Sequence, residues 1–252
     1  MVEKIKGLVI KTQNINENDK WLTVLCEKYG KISFKAAGVR SFKSKNLASA
    51  QPFAYSEFTV LRTQNFTRMN EAQMIENFYD LRLDVASLAL ASYFAEIAGI
   101  LCLSESQDDG GILRLLLNSL YVLSNKKSPR KVIKAVFELR ALTNSGFMPN
   151  LEECEICGRT DFDTVFFDVL GGNLVSADCV SKLTSPSKLL RVSNDVLNAM
   201  KFVTSTKDEK LFAFVLHEDI EREFANICEK YMLAQIAMNI DSLKQYKNYE
   251  RQ

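Results

Sequence analysis

Apolar and polar residues alternate with a period of two through the first 80 residues, a pattern typical of β-strands with one buried face. In the second of these segments, Trp21 to Cys26 alternate between two faces and are rich in β-branched and aromatic side chains. Five segments are predicted as strands: 5–12, 21–27, 31–37, 53–62 and 68–77. Five strands over so short a stretch predict a small barrel, with an exposed basic loop at 38–51.

From residue 81 onward, apolar residues return every three or four positions, which predicts helices and a domain boundary near residue 80. One helix is predicted to have Ser128 as its cap, Pro129 in its first turn and Gly146 beyond its end. The stretch 88–103, interrupted by Glu96, is too short to span a bilayer and predicts a buried helix. Another helix is predicted to carry apolar residues on one face, in a row too short for a coiled coil, which favours core packing. These residues are Ile220, Phe224, Ile227, Tyr231, Ala234 and Met238.

Four residues in two short-spaced pairs, Cys154, Cys157, Ser176 and Cys179, have the spacing of a zinc module with one cysteine replaced by serine. Glycines in the two predicted turns favour a zinc-ribbon-like hairpin at about 151–180, inserted in the helical part. A serine hydroxyl is a weaker zinc ligand than a thiolate, so Asp178, a distant side chain or water would have to complete a structural zinc site. The alternatives are two thiols in a loop and a redox dithiol, although Cys154 does not open a helix as redox pairs do.

Composition and charge limit the class of protein. A chain of 252 residues with 47% hydrophobic residues predicts ordinary globular packing in one or two domains. Six irregularly spaced cysteines and no apparent signal peptide or membrane span predict a cytoplasmic protein. The net charge of +1 conceals an asymmetry, since residues 1–50 carry 10 basic against 4 acidic side chains and the remainder 22 against 27. Only the amino-terminal module is therefore predicted to face a polyanion, although a solvated lysine-rich face is an equal alternative.

The sequence lacks the motifs of common enzyme classes. Its single histidine, His217, has no second histidine at zinc-protease spacing and is interpreted as a helix-surface residue. No Walker loop, dinucleotide fingerprint or nucleophile elbow is present in the sequence. We therefore expect a binding protein and not an enzyme.

A basic five-stranded barrel is the architecture with which OB-folds hold single-stranded nucleic acid. The candidate phosphate contacts are Lys20, Lys35, Arg40, Lys43 and Lys45. The candidate stacking residues are Phe34, Phe42 and Phe66, of which Phe34 is better interpreted as barrel core because it lies inside a predicted strand. A second group of basic residues lies at the start of the helix predicted to begin at Ser128. It consists of Lys126, Lys127, Arg130, Lys131 and Lys134. Lysines at a helix amino terminus oppose the macrodipole, so an acidic partner would account for them, with simple solvation as the alternative.

Five segments, in this order along the chain, resemble the RecO recombination-mediator family: 16–19 (NEND), 29–31 (YGK), 38–45 (GVRSFKSK), 51–53 (QPF) and 154–159 (CEICGR). The resemblance implies an α+β fold, with an OB-fold barrel at 1–80 followed by a helical domain at 81–252 that contains the cysteine hairpin. It implies a nucleoid-associated protein that binds single- and double-stranded DNA, anneals complementary strands and, with RecR, helps load RecA onto strands coated by single-strand-binding protein. It also implies a DNA surface at Arg40, Lys43 and Lys45.

Members of this family dock the acidic, hydrophobic tail of single-strand-binding protein on the helical domain, which would give the cluster Lys126 to Lys134 a purpose. Zinc-bearing relatives have cysteine where this chain has Ser176, and other relatives have no zinc. Two rival functions share parts of the pattern: an RNA-binding OB-fold protein shares the charge, and a protein-interaction scaffold shares the barrel.

Overall fold

The computed structural model describes residues 1–63, 66–102, 111–183 and 188–250. They form two compact units, one of Met1–Asn125 with Ile240–Gln252 and the other of Lys126–Asn239. The strands are β1 (Val2–Asn14), β2 (Lys20–Cys26), β3 (Gly30–Ala36), β4 (Tyr55–Arg62), β5 (Thr67–Glu76), β6 (Asn150–Cys154), β7 (Val165–Asp168), β8 (Asn173–Ser176) and β9 (Leu189–Val192). The helices are α1 (Val85–Leu101), α2 (Gly111–Ser124), α3 (Arg130–Asn144), α4 (Asn194–Ser205), α5 (Glu218–Ile236) and α6 (Asp241–Glu250).

The first five strands close into a barrel in the order β1-β2-β3-β5-β4, which confirms the predicted fold class. Neighbouring strands are antiparallel except β3 and β5, which run parallel and pair only at Lys35 with Arg68 and at Ala36 with Met69. Alternate residues of the strands, Leu22 and Val24 among them, fill the interior, as the period of two predicts. The barrel therefore has one short seam, between β3 and β5.

A close approach of β1 and β2 requires glycine at position 7. A Cβ on Gly7 would lie 2.4 Å from Val24 Cγ1 and 2.8 Å from the Leu25 carbonyl oxygen. Because atoms of β2 occupy that space, any side chain there would push the two strands apart. Gly7 thus allows this pair of strands to pack tightly at the side of the barrel.

Helices α1, α2 and α6 complete the first unit. Asp84 caps α1 by accepting the Ala86 N–H at 3.3 Å, and α1 contacts both β1 and α6. The predicted helix at 88–103 corresponds to α1, with residue 103 outside the described residues. The barrel ends at Glu76 and α1 begins at Val85, but α1 belongs to the same compact unit. The domain boundary near residue 80 stays a prediction.

The second unit combines a four-stranded sheet, in the order β6-β8-β7-β9, with α3, α4 and α5. Two predictions about its helix ends are wrong. Pro129, with an extended backbone, occupies the cap position of α3 in place of Ser128, and its carbonyl accepts the Val132 and Ile133 N–H groups. Helix α5 ends at Ile236 because Ala237 adopts a left-handed conformation (φ 52°), so Met238 lies beyond the helix and is 57% exposed.

Helices α3 and α5 pack around a buried cation, Lys134. Its Nζ lies 2.8 Å from Glu138 Oε1 and 2.8 Å from Glu229 Oε2, and its side chain is 4% exposed. Burial lowers the pKa of Lys134, but the Glu138 and Glu229 carboxylates outweigh this effect and raise it. Lys134 is thus charged and held inside the unit.

No helix within the described ranges is both long and apolar enough to cross a bilayer.

Candidate functional site

The turn between β1 and β2 positions the loop that follows β3. The Asn16 Oδ1 atom accepts the backbone N–H groups of Asn18 (2.9 Å) and Asp19 (2.8 Å), which fixes the turn locally. The Asp19 carboxylate then accepts the Gly38 N–H at 2.9 Å and lies 2.8 Å from Lys35 Nζ. Because Gly38 begins the loop, Asp19 ties the loop to the edge of the barrel.

Arg40 is held against the same turn by two contacts. Its backbone N–H donates to the Asn18 carbonyl oxygen at 3.0 Å, and its guanidinium donates to the Asn16 carbonyl oxygen. Burial, followed by the positive charge of Arg40, lowers the pKa of Lys20. The structure therefore brings two of the predicted phosphate contacts, Lys20 and Arg40, close enough to repel each other.

Three more of the predicted residues project from the loop after Arg40. Phe42 is 98% exposed, and Lys43 and Lys45 are both exposed. Within the described part of the chain, no carboxylate forms an ion pair with either lysine. We call Lys20, Arg40, Phe42, Lys43 and Lys45 the rim surface.

The other residues predicted on the barrel differ from this group. Lys35 has its charge matched by Asp19. Phe34 is fully buried and packs edge-to-face on Phe58 at a centroid distance of 5.4 Å, so its role as a stacking residue is wrong and its interpretation as core is right. Phe66 is 52% exposed just before β5, and its role stays a prediction.

The basic cluster before and within α3 is smaller than predicted. Lys126, Lys127 and Arg130 are exposed, and Lys131 lies 2.9 Å from Glu221 of α5. Lys134 cannot serve a partner as predicted, because it is buried between two carboxylates. We call Lys126, Lys127, Arg130 and Lys131 the α3 basic cluster.

The cysteine module folds as predicted around its turns. Cys154 ends β6, and the Gly158 N–H donates back to the Cys154 carbonyl oxygen at 2.8 Å, with Gly158 at φ 67°. Ser176 ends β8, and Cys179 lies on the short 3-10 helix Ala177–Lys182. The three cysteine sulfurs lie within 4.8 Å of one another. Residues far apart in sequence thus meet at one point of the second unit.

Backbone groups around Cys154 favour its thiolate form. Burial raises the pKa of Cys154, but the N–H groups of Ser176, Cys157 and Ile156 outweigh burial and lower it to about 6. The Ser176 N–H lies 3.4 Å from Cys154 Sγ, and Ser176 Oγ lies 3.9 Å from Cys157 Sγ.

These residues fit a metal ion as a set of three sulfurs and one hydroxyl. In a tetrahedral zinc site, Zn–S bonds of about 2.3 Å place sulfurs about 3.8 Å apart, and the three sulfurs here lie within 4.8 Å of one another. Asp178 is not the fourth ligand, because it faces Arg159 at 3.2 Å and its side chain is 76% exposed. Ser176 is the hydroxyl nearest to the cluster among the described contacts.

The two parts of the chain match the two models of one family. "Recombination protein O N terminal" matches residues 1–78, and "Recombination protein O C terminal" matches residues 82–244. The chain belongs to the RecO family. This confirms the resemblance predicted from the sequence segments.

Individual RecO proteins are similar over most of their length. A protein named DNA repair protein RecO from Acetivibrio thermocellus is 32% identical, covering 98% of this chain and 97% of its own. One of the same name from Caldicellulosiruptor bescii is 30% identical over 91% of each chain. One from Alkaliphilus metalliredigens is 32% identical over 71% of this chain and 72% of its own. Membership of the RecO family gives the chain a role in DNA repair and recombination.

Sequence reasoning on this RecO-family chain missed the residues that position the rim surface. Asn16 and Asp19 are part of the NEND segment, which the sequence offered only as a family feature. An Asn followed three residues later by Asp, just before a strand, is a signal for a hydrogen-bonded turn. The contact from Asp19 to Gly38 needs the fold, because 19 residues separate the two positions.

The Asp19 anchor predicts a measurable titration. The Lys35 ammonium, the Gly38 N–H and the Asn16 amide lower the pKa of Asp19 from 3.8 to about 2. A carboxylate with a lowered pKa stabilises the fold above its ordinary pKa, and that contribution is lost as the pH falls through the lowered value. We expect the Asp19 carboxyl carbon to titrate by NMR with a midpoint near pH 2, and the Gly38 amide to exchange faster in Asp19→Asn.

Glu17→Gln, on the exposed part of the same turn, is the control and should leave Gly38 exchange unchanged. An Asp19 midpoint at its ordinary value of 3.8 would show that the anchor does not form.

Proposed function

We propose that the chain binds single- and double-stranded DNA through the rim surface, without reading base sequence. One observation carries the proposal: Arg40 is bonded to the turn that precedes Lys20, and the loop after it carries Phe42, Lys43 and Lys45, all three exposed. Lys20 and Arg40 are like charges held at the same turn, so both would attract a phosphate bound there. The rim surface belongs to the amino-terminal part that carries the chain's excess positive charge.

Phe42 supports a role in holding single strands in particular. An aromatic ring that is 98% exposed gains nothing from the protein's own core, but it offers a platform on which a base can stack. Every base has a planar face, so stacking of this kind tolerates any sequence. The lysines and Arg40 would hold the sugar-phosphate backbone on either side.

The finer steps of the mediator function follow from the same binding mode. Because it holds backbones without reading bases, the protein can bring two complementary strands together and let base pairing select the match. With RecR, it would help load RecA onto strands coated by single-strand-binding protein. We place this activity in the cytoplasm, at the nucleoid, and expect no covalent catalysis.

A groove between α4 and α5 supports docking of the tail of single-strand-binding protein on the second unit. The groove has a volume of about 410 Å³, and its lining includes Phe202, Phe214, Val215 and Ile220. Phe202 and Phe214 pack edge-to-face at 5.3 Å, and Val215 is 94% exposed. Lys131 contacts Glu221, the residue next to Ile220, so the α3 basic cluster reaches the same turn of α5. An acidic tail with a hydrophobic end matches both features.

Cys154, Cys157 and Cys179, with Ser176, would hold a structural zinc ion that ties β6 and β8 to the 3-10 helix. Zinc at such a site stabilises the local fold and supplies no chemistry for catalysis. Because the hydroxyl of Ser176 is a weak ligand, we expect less than one zinc per chain after purification without chelator. Backbone hydrogen bonds within the module would maintain it without metal.

Removal of three rim charges should weaken DNA binding and its dependence on salt. For Arg40→Ala/Lys43→Ala/Lys45→Ala, the slope of log K against log salt should fall by about 2 for single strands, at about 0.7 per phosphate contact. Fluorescence anisotropy with oligonucleotides of unrelated sequence measures both quantities. Lys182→Ala/Lys207→Ala/Lys210→Ala removes the same charge elsewhere and should bind normally.

Equal binding by the two triple variants would contradict the proposed surface. A competition titration of single-stranded DNA against RNA of the same sequence separates a repair protein from an RNA-binding one, and a preference for RNA would contradict the DNA assignment.

A charge in the α4–α5 groove should prevent docking of the tail. Val215→Asp places a carboxylate where an apolar residue would bind, and should weaken binding of a synthetic tail peptide by about tenfold or more. Because Val215 is exposed, the variant should fold normally. Isothermal titration calorimetry gives the affinity, with Met238→Asp, an exposed position in the same unit, as the control. Unchanged affinity in Val215→Asp would rule out the groove.

Ser176→Cys should convert the cysteine cluster into a full zinc site. A fourth thiolate completes the tetrahedron of soft ligands, so zinc affinity in a chelator competition should rise by more than about tenfold. Ser181→Cys adds a thiol nearby on an exposed position and should have no such effect. If Ser176→Cys binds zinc no better than the parent chain, the cluster is not a metal site.

A further inference from the structure

A cavity of about 710 Å³ lies within the first unit, lined by residues of strands β1 to β5 and of helices α1 and α6. This volume is in the range of pockets that hold small ligands. The barrel contributes Lys11, Thr23, Lys31 and Ser33 to one wall, and α1 contributes Ser92, Glu96 and Gly99 to the other. None of these residues belongs to the rim surface.

Two lysines and two hydroxyl groups occupy neighbouring positions on the barrel wall of this cavity, which we call its lysine end. Lys11 pairs with Thr23 across β1 and β2, and Thr23 pairs with Ser33 across β2 and β3, their hydroxyl oxygens 3.1 Å apart. Lys31 lies two residues from Ser33 on the same face of β3, and its Nζ donates to the Gly99 carbonyl oxygen. Over the ranges that the structure describes, neither Lys11 nor Lys31 forms an ion pair with a carboxylate. Two such ammonium groups beside two hydroxyls favour an oxyanion.

The two acidic residues of the cavity are occupied by other partners. Glu3 lies 2.7 Å from Lys28 Nζ and accepts the Tyr29 hydroxyl at 2.8 Å. Glu96 accepts both the backbone N–H and the hydroxyl of Ser242, at the start of α6. Lys28 therefore neutralises Glu3, whereas Glu96 keeps its negative charge because both of its donors are neutral. Lys11 and Lys31 together still outweigh this one carboxylate, so the lysine end favours an anion.

The other end of the cavity combines the Tyr29 ring with charged and apolar groups, and Lys28 Nζ lies 4.8 Å from the ring centroid. The Arg62 guanidinium carbon lies 4.4 Å from the centroid of the Tyr29 ring, and Ile32 and Val60 line the adjoining wall. The β3–β5 seam pairs only Lys35 and Ala36 with β5, so the paired part of the seam does not extend to Ile32. A planar guanidinium stacked on a ring, beside branched apolar side chains, is a surface on which a nucleobase packs well.

We propose that this cavity binds one nucleotide of a DNA strand, with the phosphate at Lys11 and Lys31 and the base at Tyr29 and Arg62. The proposal rests on the proposed function, which it extends with a second, nucleotide-sized site. β3 runs from Lys31 at the cavity to Ala36 near the rim surface, about 17 Å for five residues at about 3.3 Å each. The cavity and the rim surface are thus separate sites on one barrel.

Isothermal titration calorimetry with thymidine 5′-monophosphate tests the cavity directly. We expect the parent chain to bind this nucleotide at least about tenfold more tightly than thymidine or inorganic phosphate, because only the nucleotide fills both ends. In Lys11→Ala/Lys31→Gln, the affinity should fall about tenfold or more; glutamine retains a donor for the Gly99 carbonyl oxygen. Lys6→Ala/Lys182→Gln removes two charges elsewhere and should bind normally.

A second variant separates a blocked cavity from a misfolded protein. Ser33→Phe places a ring at the mouth of the cavity from an exposed position and should abolish nucleotide binding while circular dichroism stays unchanged. A parent chain that binds an oligonucleotide but not the nucleotide at millimolar concentration would overturn the cavity proposal alone. Equal affinity for inorganic phosphate and the nucleotide would also overturn it. A parent chain that binds the nucleotide but no oligonucleotide would instead refute the proposed function.

Discussion

The carboxylate of Asp19 is the interaction on which the arrangement of the rim surface depends. It joins the turn between β1 and β2 to the first residue of the loop that carries Arg40, Phe42, Lys43 and Lys45, through the Gly38 N–H. It also neutralises Lys35, which leaves the positive potential concentrated at the loop. Without this contact the loop would have to lose conformational freedom each time it bound a partner, and binding would be weaker.

The local charge of the amino-terminal part, and not the total charge, favours binding of this chain to polyanions. A net charge of +1 would predict little attraction to nucleic acid, but residues 1–50 carry most of the imbalance. The structure also distinguishes basic residues that are available to a partner from those that are not. Lys43 and Lys45 of the rim surface are exposed, whereas Lys35 is paired with Asp19. Lys134 illustrates the contrast, since the sequence places it in a basic run whereas the fold buries it between Glu138 and Glu229.

The strands were predictable because apolar and polar residues alternate with a period of two in each, which depends only on neighbouring residues. The barrel was predictable because five such strands follow one another. Features that depend on distant partners were not predictable. Glu229 lies 95 residues from Lys134, and no local pattern links the two. The cap of α3 was misplaced because both Ser128 and Pro129 are acceptable at a helix start, and only backbone geometry distinguishes their positions.

The cysteine cluster was predictable in part. Its spacing predicted the meeting of Cys154, Cys157 and Cys179, since short-spaced pairs on tight turns have few ways to pack. The cavity beside α1 had no sequence signal, because Lys11, Thr23, Lys31 and Ser33 converge only through strand register.

The central claim is that DNA lies on the rim surface. Photo-crosslinking of the parent chain to a single-stranded oligonucleotide containing 5-bromodeoxyuridine, with the modified peptide identified by mass spectrometry, tests it most directly. The account predicts a cross-link within residues 40–45, with Phe42 as the main site. Cross-links confined to residues 126–239 would contradict it.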